Sequence, residues 1–118
     1  MLNKNNQYKL KGRIWIEIGN KAFIGEGKAH LLKKTAELGS LRKASGELKM
    51  SYRQAWYSLD QMNKAVETPV ILLQRGGKNG GIAQITEFGE EILNIFKKSQ
   101  HEFEKFLKNQ TIILNTHA

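Results

Sequence analysis

The chain has 118 residues, the size of one domain, and 40% of them are hydrophobic, which is enough to bury a core. Nineteen lysines and arginines stand against eleven aspartates and glutamates, a formal charge of +8. The lack of cysteine excludes a disulfide framework and thiolate metal sites, no apolar run is long enough to span a bilayer, and the polar start MLNKNNQYKLK is no signal peptide, so a cytoplasmic protein is expected.

Residues 1–7 read as a loose polar end. From Tyr8 onward Leu10, Ile14, Ile16 and Ile18 alternate with Lys11, Arg13, Trp15 and Glu17, a period of two that predicts strands over 8–24 with a turn at Gly19-Asn20 and a return through Ala22-Phe23-Ile24. Gly25-Glu26-Gly27 interrupts the chain. Leu31, Leu32, Thr35, Ala36 and Leu38 then predict a helix over 28–38, ended by Gly39.

The stretch from Leu38 to Met62 carries the most information. Ser40 and Ser51 each precede an amphipathic segment and can cap the amides that follow, which predicts a helix pair over 40–48 and 52–66. Leu41, Ala44 and Leu48 form the apolar face of the first helix, leaving Arg42, Lys43 and Ser45 outward. Tyr52, Ala55, Trp56, Leu59, Met62 and Val66 form that of the second, leaving Arg53, Gln54, Tyr57, Ser58 and Gln61 outward. Two such helices in tandem form a helix-turn-helix, whose second helix enters the major groove N-terminus first. Arginine pairs with guanine and glutamine with adenine through two hydrogen bonds each. Capped helix pairs also occur in domains that bind nothing, so the flanking segments matter.

Pro69 separates the pair from Val70-Ile71-Leu72-Leu73, the glycine-rich run Arg75–Gly81 and Ile82-Ala83-Gln84-Ile85, a predicted β-hairpin over 70–85. A hairpin directly after a helix-turn-helix is a wing, with Arg75, Lys78 and Asn79 at its tip facing phosphate. An inert turn is the alternative. A nucleotide-binding loop is rejected, because G-x-x-x-x-G-K-[ST] is absent and the run leads into a strand. Thr86 caps a last helix over 87–108, where Ile92, Phe96, Phe103 and Phe106 lie near a heptad stripe. That stripe either folds back on the chain or packs against a second copy. The second is favoured, because a two-fold DNA site requires a dimer. The apolar tail Thr111–Leu114 is left without an assignment.

Charge agrees with a polyanionic partner. Residues 1–60 hold twelve basic and five acidic side chains, and residues 61–118 hold seven and six. The expected fold is α+β and mainly helical, a winged helix-turn-helix with an N-terminal strand and a long C-terminal dimerisation helix. The DNA-facing residues are expected to be Ser40, Arg42, Lys43, Ser51, Tyr52, Arg53, Gln54, Tyr57, Arg75, Lys78 and Asn79.

The same residues resemble the N-terminal DNA-binding domain of the molybdate-responsive transcriptional regulators of ModE type, in particular their single-domain relatives. The similar elements are Ile14-Trp15-Ile16-Glu17, Gly25-x-Gly27, Leu31-Leu32, Gly39-Ser40-Leu41 with Ala44, and Met50-Ser51-Tyr52-Arg53-x-Ala55-Trp56. They continue through Met62-Asn63, the glycine pairs at 76–77 and 80–81, and Ala83-x-x-Thr86-x-x-Gly89. The Gly-Ser-Leu start and Thr-x-x-Gly are also similar to LysR-type regulators. The resemblance implies a winged helix-turn-helix that binds double-stranded DNA as a homodimer and controls transcription. It does not imply molybdate binding, which in the full-length regulator belongs to a separate C-terminal domain. Ser45-Gly46 and Asn79 depart from the family pattern and bear on the target sequence.

An enzyme is not expected. His30, His101 and His117 are far apart in sequence and form no metal-spaced pair, and a set such as Ser40, His30 and Asp60 arises in most chains of this size. No catalytic residue, metal, cofactor or membrane partner is expected. A protein-interaction adaptor reusing the winged fold is the alternative function.

Overall fold

A computed structural model describes residues 2–74 and 81–118 of the chain. The elements in order are β1 (Ile16–Ile18), β2 (Lys21–Ile24), α1 (Glu26–Leu38), α2 (Leu41–Glu47), α3 (Tyr52–Lys64), β3 (Ile71–Gln74), β4 (Ile82–Ile85) and α4 (Glu87–Thr116). The fold is α+β and mainly helical. Packing divides the chain into two compact units, one of Trp15–Phe96 and one of Met1–Ile14 with Lys97–Ala118.

In the Trp15–Phe96 unit, β1 and β2 form a two-stranded antiparallel sheet whose turn passes through Gly19 at φ +62°. A bulge falls between Ile16 and Glu17. The strand prediction over 8–24 is corrected here: pairing begins only at Ile16, and Leu10 and Ile18 are exposed. With three residues in β1 there is no second layer for an alternating face to bury against. The buried side chains come instead from the consecutive pair Phe23 and Ile24.

α1 begins with Glu26 at the positive end of the helix and closes at Gly39, whose left-handed φ of +64° lets its amide donate to Thr35 O. Leu31, Leu32 and Thr35 bury one side of α1, and the Thr35 hydroxyl donates to Leu31 O. α2 and α3 pack onto this helix through Leu41 and Ala44 on one and Ala55, Leu59 and Met62 on the other. Lys34 donates to Glu47 at 3.0 Å, linking α1 to α2; that hydrogen bond and the glutamate charge raise the Lys34 pKa.

β3 and β4 pair antiparallel with Ile71 opposite Ile85 and Leu73 opposite Ala83. Burial alternates along the hairpin, so Ile71 and Ala83 face the core while Leu72, Gln74, Ile82 and Gln84 face outward. The Ala83 amide donates to Gly39 O, which sets β4 against the junction of α1 and α2. The hairpin tip, with Arg75, Lys78 and Asn79, lies outside the described residues.

Asn63, at the end of α3, holds β3. Its side-chain nitrogen donates to Ile71 O at 2.8 Å, and its oxygen accepts from Val70 N at 2.8 Å and Ile71 N at 3.3 Å. Thr86 caps α4: its hydroxyl oxygen accepts from Gly89 N at 3.0 Å and lies 2.7 Å from Pro69 O, while its amide donates to Val70 O. Gly89 is buried so close to β3 that a β-carbon would overlap the Val70 carbonyl oxygen. α4 continues to Thr116, past the predicted end near 108, and takes in the apolar Thr111–Leu114 segment.

In the terminal unit, residues 8–12 run along the last turns of α4. Asn115 clamps the Tyr8 backbone, accepting from its N–H at 2.9 Å and donating to its carbonyl at 3.0 Å, and Thr111 Oγ1 accepts from Leu10 N at 3.0 Å. Gly12 meets the Phe103 ring, where a β-carbon would come within 2.8 Å of it. This is why the period-two segment before Ile16 forms no strand: its backbone partners are helix side chains.

Candidate nucleic-acid interface

The candidate interface comprises α2, α3 and the four residues 48–51 that join them. Ser40 Oγ accepts from Lys43 N at 3.2 Å and Ser51 Oγ accepts from Gln54 N at 3.0 Å, so each serine satisfies a first-turn amide. The link turns at Lys49, which takes a left-handed φ of +56°, a conformation that costs a side-chain-bearing residue about 1–2 kcal/mol. Met50 N donates to Ser45 O across this turn. The Ser45 hydroxyl also donates to Arg42 O, and Ser45 is buried, which corrects its placement on the outward side of α2.

Arg53, Gln54 and Tyr57 are all exposed on α3, Tyr57 at 60%, on the side away from Ala55, Leu59 and Met62. Gln61 Nε2 donates to Tyr57 Oη at 2.8 Å, which holds the phenol and leaves its own O–H to donate outward. Gln61 was outward in the sequence pattern but absent from the expected contacts; its signal was the i, i+4 spacing from Tyr57.

Arg42 and Lys43 are exposed on α2. The Arg42 guanidinium carbon lies 4.8 Å from the centre of the Tyr52 ring, a cation–π contact that joins the two helices, and Tyr52 lies 6.3 Å from Trp56. Tyr52 is half-buried, so it serves as a platform for Arg42. Ser40 is withdrawn from the expected contacts, because it is buried with its hydroxyl engaged in the cap. Ser51 remains exposed beside Arg53. Ser51→Ala is expected to lower unfolding free energy by about 1 kcal/mol, measured by urea denaturation, since the Gln54 amide loses its acceptor.

Among the stripe residues on α4, Phe96 is corrected: at 1% exposure it lies in the core of the Trp15–Phe96 unit. Phe103 is half-buried beside Gly12, and its ring stacks on Phe106 at 6.3 Å. Phe106, Ile95, Ile112 and Ile113 are the exposed large apolar residues of α4. Among the described residues no helix is long and apolar enough to cross a membrane.

No family profile matches the chain. Curated relatives do. The transcriptional regulator ModE of Haemophilus influenzae is 30% identical over 105 residues, covering 86% of this chain and 41% of that protein. The chain is a ModE-type relative. The molybdenum transport protein ModE of Azotobacter vinelandii is 27% identical over 78% of this chain and 34% of its own length. The molybdenum-pterin-binding protein MopB of Rhodobacter capsulatus is 31% identical over 80% and 35%. The chain thus spans about a third to two fifths of the curated relatives it matches, and the names they carry are those of regulators, transport and binding proteins.

The geometry gives physical reasons for several residues that carry the ModE likeness. Asn63 is the clamp on β3, Thr86 the cap of α4, Gly89 the point of contact with Val70, and Gly39 the left-handed end of α1. These positions shape the scaffold. Arg53, Gln54 and Tyr57 are the exposed chemistry it presents.

Proposed function

We propose that the chain is a sequence-specific, double-stranded-DNA-binding module of a transcriptional regulator. In this reading α2 and α3 are a helix-turn-helix, α3 lies in the major groove, and β3–β4 is the wing. The observation that supports it most is the division of α3. Its buried side holds only core residues, whereas its exposed side offers an arginine, a glutamine and a tyrosine within its first two turns, behind a serine cap. Arg53 and Gln54 supply the paired donors and acceptors that read guanine and adenine edges. Arg42 and Lys43 supply charge toward the phosphate backbone, as do Arg75 and Lys78 on their chemistry alone, and Asn79 can donate a neutral hydrogen bond to it.

Arg53→Ala is expected to weaken binding to a preferred duplex by about 1–3 kcal/mol and to blur its sequence preference. The preferred duplex comes from selection of bound genomic fragments, and gel shifts measure the change. Parent-like binding by the variant removes α3 from the groove. Parent binding that is indifferent to salt would instead indicate a protein partner, since phosphate contacts release counterions.

Assembly as a homodimer through α4 is part of the same reading. Ile92, Phe103 and Phe106 remain its proposed contacts, joined by the exposed Ile113. Sedimentation at high micromolar concentration is expected to show a dimer. A second reading follows from the MopB name: a molybdenum ligand for this chain too. Equilibrium dialysis against molybdate tests it, and the DNA reading expects duplex binding with none added.

A further inference from the structure

Most of the net positive charge of this protein lies outside the compact unit that holds the helix pair. The terminal unit, Met1–Ile14 with Lys97–Ala118, has eight lysines and arginines against two glutamates; Trp15–Phe96, more than twice as long, has eleven against nine acidic residues. A cleft of ≈ 1290 Å³ lies within that terminal unit. Its charged side chains are Lys4, Lys9, Lys11, Arg13 and Lys108 with Glu104, and Ala118 also lines it. None of these five cations is in an ion pair among the described residues, and the cations of the N-terminal segment are all exposed.

The arrangement is held in place. Tyr8 and Leu10 bond to Asn115 and Thr111, which are four residues apart on α4 and therefore separated by about 6 Å of rise. Two residues of extended chain advance about 6.6 Å. The segment is thus extended along the helix, and Lys9, Lys11 and Arg13 recur at every second position, on one side, at that repeat. Free lysine side chains for solubility need no such scaffold. A row of evenly spaced cations on a fixed backbone suits a polymer of evenly spaced anions.

We propose that this cleft is a second polyanion site, which binds the phosphate backbone of duplex DNA without regard to sequence. It rests on the reading of the chain as a DNA-binding module and adds to it a contact region in the other compact unit. Each phosphate neutralised here contributes to the salt dependence of binding and nothing to base preference.

The test uses the full chain, a duplex of unrelated sequence and the preferred duplex, each titrated at several salt concentrations. The variant Lys9→Gln/Lys11→Gln/Arg13→Gln is expected to flatten the slope of log affinity against log salt by about 2.7 on both duplexes. Between about 50 and 200 mM salt the parent then loses roughly 40-fold more affinity than the variant. Lys108→Gln alone should remove about 0.9 of slope. Lys9→Arg/Lys11→Arg should keep the parent slope. An unchanged slope in the triple variant and in Lys108→Gln overturns the proposal. So does unchanged duplex binding accompanied by lost binding to phosphatidylserine vesicles, which would make the surface a membrane contact. Arg53→Ala separates the two readings. If it leaves sequence preference intact while the triple variant flattens the slope, the α3 assignment fails and the cleft stands; the reverse result removes the cleft alone.

Discussion

Gly89→Ala is expected to lower the unfolding free energy of the Trp15–Phe96 unit by about 2–4 kcal/mol. A methyl group at this position overlaps the Val70 carbonyl oxygen and comes 2.8 Å from Ile85 Cγ1. The obstructing atom is backbone, and it is held from two directions. Thr86 N donates to Val70 O, and Asn63 Oδ1 accepts from Val70 N. Moving Val70 away would therefore break its bonds to Thr86 and to Asn63 together. Alanine improves helix propensity by about 1 kcal/mol over glycine, which is too little to offset overpacking and two lost anchors, about 3–5 kcal/mol together. Circular dichroism melting measures the outcome. A variant that melts at or above the parent temperature would mean that the start of α4 is not seated on β3.

Asn63→Ala is expected to lower unfolding free energy by about 2–4 kcal/mol. The substitution removes the partner of three backbone groups, and a buried donor or acceptor left unsatisfied costs about 1–3 kcal/mol. The effect should exceed that of Ser51→Ala, whose orphaned amide can turn to water. Asn63→Asp is the informative companion. A carboxylate still accepts from Val70 N and Ile71 N but cannot donate to Ile71 O, so it should fall between parent and alanine. Urea denaturation ranks the three; an alanine variant within error of the parent would remove the clamp from the account of how β3 is held.

Local chemistry made the helix pair legible. Serine caps and apolar spacing of three and four determine α2 and α3 within a few residues of their observed ends, and the same spacing separates Ala55, Leu59 and Met62 from Arg53, Gln54 and Tyr57. That residues 8–14 form no strand was not legible, because what decides it is Thr111 and Asn115, a hundred residues away in sequence. Period two signals an extended chain but not its partner, and the partner here is a helix. Phe96 was misplaced for a related reason. A heptad stripe records which residues share a helix side, whereas burial depends on what else reaches that side. Ser45 shows the limit of polarity as a guide: its hydroxyl bonds to Arg42 O within its own helix and travels into the core already satisfied.

The clamp that Asn115 places on Tyr8 has a consequence for biosynthesis. Contacts spanning 107 residues cannot form on a nascent chain until its far end has emerged from the ribosome, whereas every residue of Trp15–Phe96 is available earlier. The basic N-terminal segment therefore stays without this anchor until Asn115 has left the ribosome.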